Sequence, residues 1–486
     1  MRVLMVSPEA VPFAKTGGLA DVAGALPKAL KNTGVDVALV MPKYRDVDEE
    51  RFSLRETGIT IKVPIAGGSK KATVLKGKIE GNIPVYFIRN DKYYDRKELY
   101  GTAHGDYPDN AERFVFFSRA VLELSKAIDF KADVIHCNDW QTALIPVYIK
   151  TLYRDDPFFS RTATVLTVHN LGYQGLFWHF DMHLTGLGWD LFTPEGIEFF
   201  GKINFLKGGL VFSDIITTVS KGYSREIQTE ELGHGLEGVL SQRKNVLYGI
   251  VNGIDYDEWD PATDTYITTN YSPEDIKGKA ICKSELQRLY SLPVKKETPL
   301  IAMISRLAGQ KGFDLIEGAI DELMAMDLQV VFLGTGDRKY QELLEEIGSR
   351  YPKKAGVKIG YDVALAHKIE AGADVFLMPS RYEPCGLNQL YSLKYGTIPV
   401  VRATGGLDDT IKNFNPRTGN GNGFKFRDYS SDALLKCVSK AVELYKDKRR
   451  WKKIMQNAMT CDFSWEHSAK EYVKVYNKAL TKAGSN

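Results

Sequence analysis

Hydrophobic residues fall along the chain in two alternating rhythms. Short, β-branched runs at residues 3–6, 37–40, 134–136 and 165–168 are apolar at consecutive positions, as in strands buried on both faces of a parallel sheet. Longer stretches with helical spacing lie between them. Over 110–128, Phe114, Phe117, Ala120, Val121 and Leu124 mark one helix face, suited to covering such a sheet. This alternation predicts parallel strands joined by right-handed crossovers. The rhythm breaks at Ile254, where a polar, proline-containing stretch runs to Glu274 without periodicity. A second strand series follows at 300–304, 330–333, 357–359, 375–378 and 398–401, again separated by helical patterns. The expected fold class is therefore α/β, with a first doubly wound domain over 1–252 and a second over 253–464. Residues 419–423, Gly-Asn-Gly-Asn-Gly, read as a loop, and a last helical pattern runs over 465–480.

Composition adds constraints. A chain of 486 residues is long for one hydrophobic core, which agrees with two domains. With 44% hydrophobic and 26% charged residues it has the make-up of a folded globular protein. A net charge of +3 gives no reason to expect nucleic acid as partner. The first apolar run is too short for a signal sequence and is followed by Pro8 and Glu9; no stretch reaches the roughly 20 apolar residues of a membrane span. A cytoplasmic location is expected. Cys137, Cys282, Cys385, Cys437 and Cys461 are scattered without a CxxC pair, so reduced thiols are expected rather than disulfides or a zinc site.

The first candidate for chemistry is Lys15-Thr16-Gly17-Gly18-Leu19-Ala20-Asp21-Val22, between the first strand and a helical pattern through Ala25, Leu26 and Leu30. Two glycines allow a diphosphate to approach the backbone, the helix start offers free N–H groups, and Lys15 adds a charge. The competing reading is a glycine turn needed only for tight strand-to-helix packing. A nicotinamide dinucleotide site fits poorly: G-x-G-x-x-G is absent, and Asp36 precedes the second strand when ribose binding needs an acid at its carboxyl end. No Walker A loop occurs.

The second domain offers two further loops at strand ends. Ser305 to Gly312 carries Arg306 and Lys311, which are either solvated charges or a means of neutralising a leaving diphosphate. Arg381 to Asn388 carries Glu383, either a helix-capping acid or a contact to a sugar, ahead of the amides of Gly386, Leu387 and Asn388. Cys385 has no histidine near it in sequence and reads as a small packing residue. In the first domain, His136-Cys137-Asn138-Asp139-Trp140 and Thr167-Val168-His169-Asn170 end their strands, offering Asp139 and His169 for sugar hydroxyls. No Asp-x-Asp pair or His/Asp cluster with metal spacing lies near these loops, so no metal is expected. The basic run 446–453 reads as a solvated helix face.

As an ordered set, these loops resemble those of bacterial glycogen synthases and plant starch synthases. Asn252-Gly253-Ile254-Asp255, Gly334-Thr335-Gly336-Asp337, Tyr361 and the stretch Thr404 to Thr410 extend the resemblance over nearly the whole chain. It implies a GT-B type glycosyltransferase with two Rossmann-like domains facing each other across a deep cleft. It further implies ADP-glucose as donor, the non-reducing end of glycogen or another α-1,4-glucan as acceptor, retention of anomeric configuration, and no cofactor. By resemblance, Glu383, Arg306, Lys311, His169 and Asp139 form the catalytic set, with the cations on the diphosphate and Glu383 on the donor glucose. Asn252 would help His169 and Asp139 position that sugar. Lys15, Gly17, Gly18, Asp21, Cys385, Gly386, Leu387 and Asn388 would line the donor, with Tyr361 near the adenine. The first domain would serve the acceptor and the second the donor, with the terminal helix, 465–486, returning to the first. Asn388 departs from the threonine expected in many relatives; a backbone contact there tolerates the change. Retention without an evident nucleophile follows if the leaving phosphate oxygen takes the acceptor proton on the same sugar face. Three alternatives stand beside this reading: a transferase using UDP-glucose or another acceptor, a phosphorylase with lysine-bound pyridoxal phosphate, and a non-catalytic glucan-binding protein.

Overall fold

Continuous apolar runs become strands hidden on both faces, and in this protein they build two separate parallel sheets. The computed structural model describes residues 1–102 and 104–484. The chain divides into one unit formed by Met1–Gly253 with the chain from Trp465 onward, and a second formed by Ile254–Ser464.

The first unit is organised by a nine-stranded sheet in the order Leu247–Gly249, Ile215–Thr218, Ala163–Val168, Val134–Asn138, Arg2–Val6, Asp36–Pro42, Ile83–Arg89, Gly68–Ile79 and Arg55–Ile65. Neighbours are parallel up to Ile83–Arg89, and the last two strands add an antiparallel edge. Arg2–Val6 pairs with Asp36–Pro42 on one side and Val134–Asn138 on the other, so the chain order reverses at this first strand. Such a switch point opens a crevice at the carboxyl ends of the strands. The edge hairpin escaped the sequence reading because lysines and threonines interrupt its apolar positions.

The final helix, Trp465–Ala483, belongs to the first unit. Its Tyr476 hydroxyl lies 2.8 Å from His136 Nδ1, and His136 Nε2 lies 2.6 Å from Thr167 Oγ1. Both ring nitrogens of this fully buried histidine are thus occupied, and burial pushes the imidazole down to about 3. His136 is a structural tie. Ser468 Oγ also donates to Val251 O at 2.7 Å.

The second unit holds a six-stranded parallel sheet, Ala355–Ile359, Gln329–Gly334, Leu300–Ile304, Val375–Met378, Ile398–Arg402 and Phe424–Phe426. The order again reverses at the first strand in sequence, between Leu300–Ile304 and Val375–Met378. The basic run is not one helix face. One helix ends at Lys446, Asp447 caps the next through Arg450 N, and Trp451 is buried within the run. Among the described residues, no helix is long and apolar enough to cross a membrane.

Replacing Tyr476 by Phe leaves a buried ring nitrogen unpaired, which costs about 1–3 kcal/mol. A thermal midpoint measured on Tyr476→Phe should fall accordingly; an unchanged midpoint would show that the tie contributes nothing.

Candidate functional site

In the first unit, the segment after Arg2–Val6 is shaped by a buried carboxylate that the sequence reading did not single out. Glu9 Oε1 accepts from Thr16 Oγ1 at 2.7 Å and from Tyr100 OH at 2.9 Å, and Oε2 accepts from the Thr16 amide. This clamp delivers the chain to Gly17, which precedes the helix Gly18–Asn32 and has no side-chain cap on it. The amides of Gly17, Gly18 and Leu19 donate to no acceptor among the described residues. Gly17 has extended backbone, and a Cβ built on it meets nothing within 4 Å. Tight packing therefore does not explain this glycine, whereas it does explain Gly24, whose Cβ would lie 2.3 Å from Val11 Cγ2. Lys15 Nζ lies 2.7 Å from Asp21 Oδ1 in an exposed ion pair. Burial raises the Asp21 carboxyl, and Lys15 opposes the rise.

The neighbouring strand across the switch point ends in Asp139, whose φ of 56° and ψ of −176° form a strained conformation for a residue with a side chain. Strain of this kind costs about 1–3 kcal/mol and gathers at functional sites. Asp139 Oδ1 accepts the His169 amide at 2.7 Å. Burial pushes the Asp139 carboxyl up to about 7, with Glu9 adding to the rise and the amides of His169 and Asn170 opposing it. Asn138 Nδ2 donates to Val6 O, which turns its Oδ1 toward His169 Nε2 at 2.9 Å. His169 must then donate from Nε2 and carry its lone pair on Nδ1. Burial holds the ring down to about 3, and hence neutral. Because that value lies below the unfolded 6.5, its contribution to stability is lost as pH falls from 6.5 toward 3. Asn252, after the edge strand Leu247–Gly249, is buried, and its Oδ1 accepts from no donor among the described residues. A buried acceptor in that state is ready for a hydroxyl.

In the second unit, the two loops at the switch point are joined. Lys311 Nζ lies 2.6 Å from Glu383 Oε2, to which Ser380 Oγ also donates at 3.1 Å. Glu383 is buried and Lys311 nearly so. The loops are stitched by Gln310, whose carbonyl accepts from Arg381 N and whose Nε2 donates to Tyr382 O. Two glycine sites make this approach possible. Gly312, at φ 78°, would place a Cβ 2.2 Å from Pro379 O. Gly406 would place one 2.1 Å from Cys385 O. Its amide also donates to Glu383 O at 3.1 Å.

Arg306 is exposed, and its guanidinium makes no ion pair or hydrogen bond among the described residues. Cys385 is buried, its carbonyl taken by Gln389 Nε2, as a packing residue. The amides of Gly386, Leu387 and Asn388 find no protein acceptor among the described residues. The Asn388 side chain donates to Ile304 O at 2.7 Å, pinning the helix Asn388–Lys394 to the first strand of this unit. The side chain thus has a structural contact of its own. Tyr361 follows the strand Ala355–Ile359 and is 79% exposed, a large ring held in the open at a strand's carboxyl end.

Residues 2–242 match the model of a family described as the starch synthase catalytic domain, and 290–458 that of glycosyl transferases group 1. A glycogen synthase from Thermotoga petrophila is 52% identical over 490 residues, covering 100% of both chains. The chain belongs to the glycogen and starch synthase family. A glycogen synthase from Koribacter versatilis is 51% identical, covering 99% of this chain and 98% of its own. Among solved structures, the catalytic domain of starch synthase IV from Arabidopsis thaliana, bound to ADP and acarbose, matches with a TM-score of 0.90. It is 34% identical, and the match covers 99% of each chain. A sucrose-phosphate synthase from Thermosynechococcus elongatus, with a TM-score of 0.60 at 14% identity, shares the fold. The protein is a GT-B type glucosyltransferase.

Within this synthase, the two kinds of glycine should respond differently to a methyl group. Gly17→Ala should leave the thermal midpoint within about 0.5 kcal/mol of the parent, as at an open surface position. Gly406→Ala should destabilise by about 1–3 kcal/mol through overpacking. Equal effects would contradict the assignment of Gly17 to ligand approach.

Proposed function

We propose that the protein transfers glucose from ADP-glucose to the non-reducing end of an α-1,4-glucan with retention of anomeric configuration. The observation that carries this is the Lys311–Glu383 pair at the switch point of the second unit, beside unpaired Arg306 and the amides of Gly386–Asn388. A family relative of known structure binds ADP and acarbose, which supports a nucleoside diphosphate and a glucan-like sugar as the two ligands here.

In this reading the second unit takes the donor. Arg306 and Lys311 neutralise the diphosphate as negative charge grows on it, the amides before and at the start of the helix Asn388–Lys394 meet its oxygens, and Tyr361 lies against the adenine. Glu383, fixed by Lys311 and Ser380, accepts hydrogen bonds from donor glucose hydroxyls. The first unit serves the acceptor and the transferring sugar: Asp139, neutral His169 and Asn252 take sugar hydroxyls, while Lys15, Asp21 and the Gly17–Gly18 amides complete the phosphate contacts. In the step itself, the bond between C1 and the phosphate oxygen breaks and a bond from C1 to the acceptor O4 forms. The acceptor proton passes to the departing phosphate oxygen on the same face of the sugar. No second carboxylate is needed.

The test is nucleotide release from ADP-glucose and, separately, UDP-glucose, with and without glycogen and without added metal. Glycogen-dependent release of ADP is the expected result. Release from UDP-glucose alone would overturn the donor, and release from neither would make the protein a glucan binder. In the same assay Glu383→Gln, which keeps a hydrogen-bonding group beside Ser380, should lower kcat by about 100-fold with a much smaller change in donor KM. Equal losses in both would remove Glu383 from the reacting sugar.

A further inference from the structure

Between the strand Ala163–Val168 and the helix Phe205–Phe212, the chain leaves the main sheet of the first unit over residues 170–204. The excursion forms a small antiparallel sheet in the order Leu176–Trp178, Lys202–Asn204, Glu198–Phe199. Strand alternation sends Phe177 inward, 5.6 Å from the Trp140 ring and 4.7 Å from the Phe205 ring. The positions on either side of it, Leu176 and Trp178, are the outward ones. An ordinary solvated strand carries polar residues there, yet Trp178 is 65% exposed.

More rings continue from it. Phe180, 61% exposed, lies 5.1 Å from Trp178 and 4.3 Å from His179; His179 lies 6.2 Å from Phe192, which lies 5.4 Å from Trp189, itself 59% exposed. Single exposed apolar residues need no explanation, but a connected series of aromatic rings does.

We propose that this aromatic surface holds an α-glucan chain outside the candidate sugar site. The proposal rests on the reading of the protein as a glucan-extending enzyme, and three features select this occupant. The rings are flat and rigid, so they offer faces to the C–H face of a pyranose. The charged groups among them are mostly acidic, Asp181, Asp190, Glu195 and Glu198 against Lys202. That balance repels nucleic acid and anionic lipid, while carboxylates accept hydrogen bonds from the hydroxyls of an uncharged polyol. The excursion is also continuous with the candidate sugar site in the same unit. It begins at Asn170, next to His169, and it is anchored on Trp140, next to Asp139. Gly175, at φ 65°, lets the chain cross that indole, since a Cβ there would lie 2.5 Å from Trp140 Cε3. A polymer extended at one end gains from a hold on its other residues, because the second contact is then intramolecular.

The experiment compares the full-length protein with Trp178→Ala/Trp189→Ala by native electrophoresis through gels containing glycogen, and by kinetics on glycogen and on maltotriose. Both side chains are more than half exposed, so the thermal midpoint should not change; Phe180→Ser provides an independent variant if the double one fails to fold. The expected result is about tenfold or more weaker retention by glycogen, with KM for glycogen raised to match. Values for maltotriose and for the donor should stay within about twofold. Unchanged retention overturns the proposal, as does an equal loss on maltotriose. Unchanged retention with a lower sedimentation mass would make the surface a contact between copies of this chain, which also overturns it. Retention needs no turnover, so loss of retention in a protein that releases nucleotide from neither donor would uphold the surface while the proposed reaction failed.

Discussion

A parallel strand dictates where its neighbours begin and end: every connection must cross a face of the sheet and re-enter at the same edge. When the first strand of such a sheet lies in the middle, successive crossovers part to either side of it and leave the carboxyl ends of two adjacent strands uncovered. Both units of this protein obey that constraint, at Arg2–Val6 beside Val134–Asn138 and at Leu300–Ile304 beside Val375–Met378. The candidate residues of each unit gather on the loops that leave those strands or their close neighbours. Glycines then set how close those loops come, as Gly312 does against Pro379 and Gly406 against Cys385.

The electrostatics of the two sites differ in kind. At the second unit's switch point a buried carboxylate, Glu383, is neutralised by Lys311, while Arg306 and several amides point to no protein partner among the described residues. That is an environment for an anion. At the first unit's switch point the titratable side chains tend toward their neutral forms, Asp139 raised to about 7 and His169 held near 3. Neutral donors and acceptors discriminate among hydroxyls without attracting counter-ions. The division of labour between donor phosphate and sugar follows from this contrast.

Much of this could be read before the structure. The buried strands were legible because a two-sided parallel strand is apolar at every position, and Gly17, Lys311 and Glu383 stood out as unusual residues at strand ends. What could not be read depends on contacts distant in sequence or on backbone shape. Glu9 acts through Thr16 and Tyr100, the latter 91 positions away. The strain at Asp139 is a dihedral angle, and the Asn388 contact to Ile304 O crosses 84 positions. The antiparallel edge Arg55–Ile79 and the aromatic excursion lacked a clean period, since one face of each is open to solvent. Signals for the excursion were present in Trp178, Phe180 and Trp189, but only exposure distinguishes such rings from a core.

The central claim is that these two switch points together carry out retaining glucosyl transfer from ADP-glucose. Proton NMR of the protein with ADP-glucose and maltotriose tests it most directly, since donor, transfer and stereochemistry appear in one spectrum. The account predicts that loss of the donor's anomeric signal is matched by growth of an α-1,4 glycosidic signal. A β-glycosidic signal, or free glucose as the sole product, would contradict it.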